Sequence, residues 1–193
     1  MKTNHYNGID LGPLLNEDAL LLQALIKMTT PRIVVEFGYL WGDSSTAMLE
    51  VMSPDAMLHS FDNSKNPIIE DSRFCFHRKS QEEIDGIENI DFVFLDASHE
   101  FELDKLTFLR IKECLSEKAI IAVHDTGTWV GGNVFNAEVG EMNALGQWVH
   151  RPDEVRFVDW IKKEYPEFQQ IHLHSSRELR HGMTLLQRYK KLT

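Results

Sequence analysis

The chain has 193 residues, 42% hydrophobic and 26% charged, enough for one well-filled core and too few for two ordinary domains. Thirty acidic residues against twenty basic ones leave a net charge of −10, which argues against the basic footprint of a nucleic-acid binder or of a protein held on an anionic membrane. One domain over residues 1–193 is expected, with a small molecule as partner and a second copy of the chain left open.

The polar start "MKTNHYNGID" lacks the apolar run of a signal peptide, and no stretch approaches the length of a membrane span. A reducing cytoplasm is the expected compartment. Cys75 in "RFCFH" and Cys114 in "IKECL" sit among apolar neighbours with no metal-ligand spacing around them, and read as core thiols.

In chain order, "NEDALLLQALIKM" puts Ala19, Leu22, Leu25 and Ile26 at helical spacing behind Asn16 as cap, predicting a helix over 17–28 within an N-terminal helical extension, 1–30. Apolar runs at 32–37, 57–61, 74–77, 91–96 and 119–124 predict strands, several buried on both faces. Helical patterns at 43–52 and 100–115 lie between them, the second presenting Leu103, Leu106, Leu109 and Ile111. Connections 63–72 and 81–89 are too short for full crossover helices. Strands alternating with helices predict an α/β fold with a mainly parallel, Rossmann-like sheet and helices on both faces. After a helix at 153–165, "FQQIHLH" and "MTLLQR" are joined too tightly to be parallel, so the sheet should end in an antiparallel pair. Segment 126–150, rich in Gly and Asn, reads equally as a lid over a site or as a loop packed on the sheet edge.

The first strand runs into "VVEFGYLWGDSS", which sets Glu36, Gly38, Gly42 and Ser44 at the strand-to-helix turn where open α/β sheets hold ligands. The spacing is GxxxG behind an acid, not GxGxxG, and a carboxylate there repels a pyrophosphate and suits a cation. The second strand ends on Asp62, about twenty residues later, where an acid can accept from both hydroxyls of a ribose. Asp96 ends another strand. A crevice of negative potential with a ribose hook matches S-adenosylmethionine, with its ammonium, sulfonium and ribose. The plain alternative makes Gly38 and Gly42 turn glycines and Asp62 a helix cap.

On these residues the chain resembles the class I S-adenosylmethionine-dependent methyltransferases, most closely the small-molecule O-methyltransferases that include macrocin O-methyltransferase and relatives of cephalosporin hydroxylase. The resemblance spans roughly 30–190 and implies a seven-stranded sheet with its last strand inserted antiparallel. It places the methionine end of the cofactor at Glu36, Gly38, Gly42 and Ser44 and the ribose at Asp62. Ser80 and Gln81 of "KSQEE" resemble the adenine-contacting segment of catechol-type enzymes.

The run "VFLDASHE" ends abruptly on Asp96, and a carboxylate at the end of a core strand is costly to desolvate unless it is paired. Asp96 therefore either caps the following helix or works in the site. "AVHDTG" ends the neighbouring strand, so Asp96, His124 and Asp125 can converge on a divalent cation beside the cofactor. An aliphatic hydroxyl is too weak an acid to attack a methyl group unaided; a metal lowers the pKa of a nearby oxygen and an imidazole takes the proton. The macrocin-type resemblance implies these roles for Asp96, the acid pair at the next strand end, and His99, three residues after Asp96. Here that pair is His124-Asp125 in place of Glu-Asp: with His124 as ligand the set suits manganese, iron, cobalt or zinc better than magnesium, and with His124 standing aside the two carboxylates leave a weaker magnesium site. The plain alternative for His99 is a satisfied polar residue at the crevice rim. His59 and His77 read as structural, and His172 and His174 as a solvated strand face.

The expected activity is a metal-assisted O-methylation of a sugar, natural-product or catechol-like hydroxyl, with acceptor choice in residues 1–16 and 126–150. Tyr39, Trp41, Trp129 and Trp148 serve equally as acceptor-pocket or packing aromatics. Two other readings are a non-catalytic S-adenosylmethionine-binding protein with a decayed metal site and a nucleotide-dependent oxidoreductase, the latter disfavoured by Glu36 and the missing GxGxxG.

Overall fold

A computed structural model of the chain describes residues 16–126, 129–130, 140–142, 148–150, 153–173 and 182–188. The main-sheet strands are β1 (Ile33–Phe37), β2 (Met57–Phe61), β3 (Phe74–His77), β4 (Ile90–Leu95), β5 (Leu115–His124), β9 (Phe168–Leu173) and β10 (Met183–Arg188). Their spatial order is β3-β2-β1-β4-β5-β10-β9. β1 to β5 pair in parallel, and β10 runs antiparallel to both β5 and β9. The expected seven-stranded sheet with an inserted antiparallel last strand is therefore observed.

Because successive residues of a strand face opposite ways, the near-continuous apolar runs build two cores. On one face Val34, Leu58, Phe92, Phe94 and Ala122 pack with α1 (Asn16–Thr29) and α2 (Asp43–Leu49), through Leu22, Ile26 and Met48. On the other, Val35, Phe37, Val93, Leu95, Ile121 and Val123 meet α3 (Phe101–Ile111) and α4 (Asp153–Glu164). Removing each of the largest side chains from water contributes about 2 kcal/mol.

Two expectations need correction. The helix predicted over 100–115 stops at Ile111, and β5 begins at Leu115, because Ile90 of β4 pairs with Leu115 across a bulge and draws that end into the sheet. Its buried face is Asp104, Thr107, Phe108 and Ile111, while Leu106 is 47% exposed. Phe108 sets that rotation: its ring lies 5.1 Å from Tyr165 and 5.3 Å from Phe168, edge-on to both.

Connection 81–89 holds only a 3-10 turn at Gln81–Glu83, and 63–72 forms no helix, as their length required. Within 126–150, β6 (Trp129–Val130), β7 (Gly140–Met142) and β8 (Trp148–His150) form a small antiparallel sheet in the order β6-β8-β7. The remainder of that proposed lid, residues 1–15, His174 and the side chains of Trp129 and Trp148 lie outside the described residues. Among the described residues, no helix is long and apolar enough to cross a membrane.

Candidate active site

The sheet reverses its winding between β1 and β4, and the loops that leave these strands part there, opening the crevice in which such folds hold ligands. Gly38 leaves β1 at φ +96°, and a Cβ on it would stand 2.0 Å from the Asp96 carbonyl oxygen. Only glycine lets the two loops approach so closely. Gly42, at φ +81°, makes the second left-handed turn and starts α2.

Glu36 is fully buried and accepts hydrogen bonds from the hydroxyls of Ser44, Ser45 and Ser60, the last at 2.5 Å. It thereby ties β1 to β2 and to the first turn of α2. Burial pushes its carboxyl up to about 7 against the pull of the three hydroxyls, with the nearby Asp96 charge raising it further.

Asp62 follows β2 and accepts from the backbone amides of Tyr39 and Leu40 at 3.2 and 3.1 Å with one oxygen, and from Ser64 and Lys65 with the other. Partial burial pushes the group up, but the amides of Ser64 and Leu40 outweigh it and hold it below the usual carboxylate range. The acid anchors the glycine loop. Tyr39 is buried against Phe74 and Phe76, and Trp41 is 56% exposed.

At the ends of β4 and β5 a denser group forms. His124 is 2% exposed. Its Nδ1 lies 3.2 Å from Asp96 Oδ1 and 3.4 Å from Asp125 Oδ1, and its Nε2 lies 3.2 Å from Asp18 Oδ2 on α1. Burial lowers the imidazole pKa, but Asp96, Asp125 and Asp18 together raise it well above the ordinary value. Asp125 spans two partners, since its Oδ2 lies 3.9 Å from His99 Nδ1, and that nitrogen is paired with Glu154 of α4. His99 and Asp125 both adopt left-handed backbone, at φ 56° and 57°, a conformation that costs a non-glycine residue on the order of 1 kcal/mol.

Asp96 does not cap the following helix: the Phe101 amide at its start donates to Asp153. The sequence-predicted Asp96, His99, His124 and Asp125 therefore come together. Asp18 and Glu154 complete the group and were not anticipated, because acids in the first turns of α1 and α4 read as ordinary helix N-terminal charges. Ser80 caps the short 3-10 turn that Gln81 begins. Gln81 is 5% exposed, donates to Asp104 at 2.8 Å and accepts from the Ser98 amide at 3.3 Å, so its amide braces the loop below His99. Burial raises Asp104 to about 7, although Gln81 pulls it down.

Residues 35–126, the span that holds every one of these strand ends, match the family described as a methyltransferase domain. That stretch reads as a methyltransferase domain. No curated protein sequence matches the chain. Solved structures similar to this chain include the O-methyltransferase TomG from Streptomyces achromogenes, involved in tomaymycin synthesis and in complex with SAM. That chain is 16% identical with a TM-score of 0.64, over 97% of this chain and 87% of TomG. An O-methyltransferase from Bacillus cereus in complex with SAH is 15% identical with a TM-score of 0.61, over 94% of this chain and 84% of the other. The 1,6-didemethyltoxoflavin-N1-methyltransferase from Burkholderia thailandensis is 13% identical with a TM-score of 0.58, over 97% of this chain and 84% of the other. At such identities the likeness is one of fold.

The two cysteines are not the core thiols expected from the sequence. Neither is in the core: both are half-buried, and Cys75 lies beside His59 and His77, which are in contact through Nδ1 and Nε2 at 3.0 Å. His172 is exposed on β9, with Nδ1 2.6 Å from Thr184 Oγ1.

Proposed function

We propose that this chain methylates a hydroxyl of a small molecule, such as a sugar, natural product or catechol-like compound, with a divalent cation held by Asp96, Asp125 and Nδ1 of His124. The observation that carries the metal is the placing of His124 between carboxylates. One nitrogen faces the two acids that would share the ion, and the other faces Asp18, the usual second partner of a metal-ligating histidine. One imidazole and two carboxylates suit manganese, iron, cobalt or zinc better than magnesium.

When bound, S-adenosylmethionine supplies a methyl group on a sulfonium sulfur, open to in-line displacement. A cation, when bound, supplies Lewis acidity. Glu36 would favour the cofactor's ammonium at the end of β1, and Asp62 would present an acid to the ribose. Asp96 would border both cofactor and metal. His99 takes the proton of the acceptor hydroxyl on Nε2 while Glu154 holds Nδ1 and fixes the tautomer. With the proton on His99, the acceptor oxygen would be free to take the methyl group as the carbon–sulfur bond breaks.

A second reading keeps His124 protonated, balancing Asp96 and Asp125 without an ion, and is favoured by its raised pKa. Calorimetric titration of chelator-treated protein with S-adenosylhomocysteine, with and without manganese or magnesium, separates the two. Manganese-dependent methylation in an acceptor screen supports the metal; full activity in the presence of chelator overturns it. No cofactor binding under any condition overturns the placing of the cofactor at Glu36, Gly38 and Asp62.

A further inference from the structure

At the β3 edge of the sheet, His59, Cys75 and His77 place two ring nitrogens and one thiol all within 4.8 Å of one another. We infer that these three residues form a second metal site, for zinc or a similar thiolate-accepting transition ion, that clips β3 to β2.

The register explains how the set assembles. Cys75 pairs directly with His59 across the parallel ladder, and His77, two residues on, points to the same face. The two imidazoles stack at 5.3 Å with Nδ1 of His59 and Nε2 of His77 3.0 Å apart. An ion about 2.1 Å from each nitrogen needs them roughly 3.4 Å apart for a tetrahedral angle, so the rings part by only a few tenths of an ångström. Phe61 stacks on the His77 ring at 4.4 Å and limits its rotation.

The set is also reachable. It lies on the sheet face that α3 and α4 cover farther along, but at this end the connection to β4 supplies only the 3-10 turn, Ile84 and Ile87. All three residues are half-buried as a result. Burial is the main reason both imidazoles lie below the ordinary histidine range, so each offers a lone pair at neutral pH. Lys79, paired with Asp85 at 2.9 Å, is the cation nearest to His77 in effect and pushes the same way. A His2Cys set selects zinc, cobalt or copper over magnesium, because thiolate is a soft ligand. Three protein ligands leave a fourth position to water.

The test is cobalt titration of the chelator-treated full chain, read by the thiolate-to-cobalt charge-transfer absorption and by its displacement with zinc. Wild type and Cys114→Ser should show the band, and Asp96→Asn should keep it, which separates this site from the one proposed at β4 and β5. Cys75→Ser should lose the band, and His59→Gln should weaken cobalt binding at least tenfold. Zinc should raise the Tm of Asp96→Asn but not of the double variant Asp96→Asn/Cys75→Ser, in which neither site is whole and whose fold is checked by circular dichroism. Cobalt binding without a thiolate band in wild type, or an undiminished band in Cys75→Ser, overturns the site.

Discussion

Asp18 of α1 lies 3.2 Å from Nε2 of His124 at the end of β5, 106 residues away in sequence, so the first helix contributes directly to the orientation of the imidazole. Asp18→Asn should lower manganese affinity about 10- to 100-fold while leaving S-adenosylhomocysteine affinity nearly unchanged, as measured by calorimetry with each ligand separately.

The raised pKa of His124 gives the metal site a pH dependence. An ion at Nδ1 must displace a proton, so manganese affinity should climb about tenfold per pH unit while the imidazole is protonated. His124→Asn should flatten that slope. A pH-independent affinity in wild type would place the ion elsewhere.

Asp96→Ala should abolish turnover and leave cofactor affinity within a few-fold. Full activity in that variant would remove Asp96 from the mechanism.

His99→Ala should lower kcat by about 10² to 10⁴ with little change in cofactor binding, the contribution of a positioned base. Glu154→Gln should lower kcat less and shift the pH–rate profile, since it acts through His99. Equal stability of both variants, checked by thermal melting, confines the effect to the chemistry.

Glu36 should leave a signature in stability. In the unfolded chain it titrates near 4.5 and in the fold near 7, so between those values the folded state binds more protons and stability falls as pH rises. The loss is on the order of 3 kcal/mol across the window. Asp104, raised from 3.8 to about 7, adds a similar slope. Denaturant titrations of Glu36→Gln at several pH values should show roughly half the decline of wild type.

Gly38→Ala forces a left-handed residue and a Cβ onto the Asp96 carbonyl. It should destabilise the protein by at least about 2 kcal/mol, lowering cofactor binding through the distorted glycine loop and metal binding through the displaced Asp96.

The sequence by itself determined the sheet and the chemistry at its strand ends. Runs such as "IVVEF" and "FVFL" announce buried strands because their pattern is local, and Glu36, Asp62, Asp96 and His124 stand out as charges that end apolar runs. Local pattern did not show which face α3 buries, since leucine spacing competes with the single aromatic anchor at Phe108. Only the tertiary structure decided what each strand-end residue meets. Asp18 and Glu154 reach His124 and His99 across 106 and 55 residues, and His59 meets Cys75 and His77 through parallel register. Spacing along the chain carries no trace of such contacts, because packing between separate elements sets them.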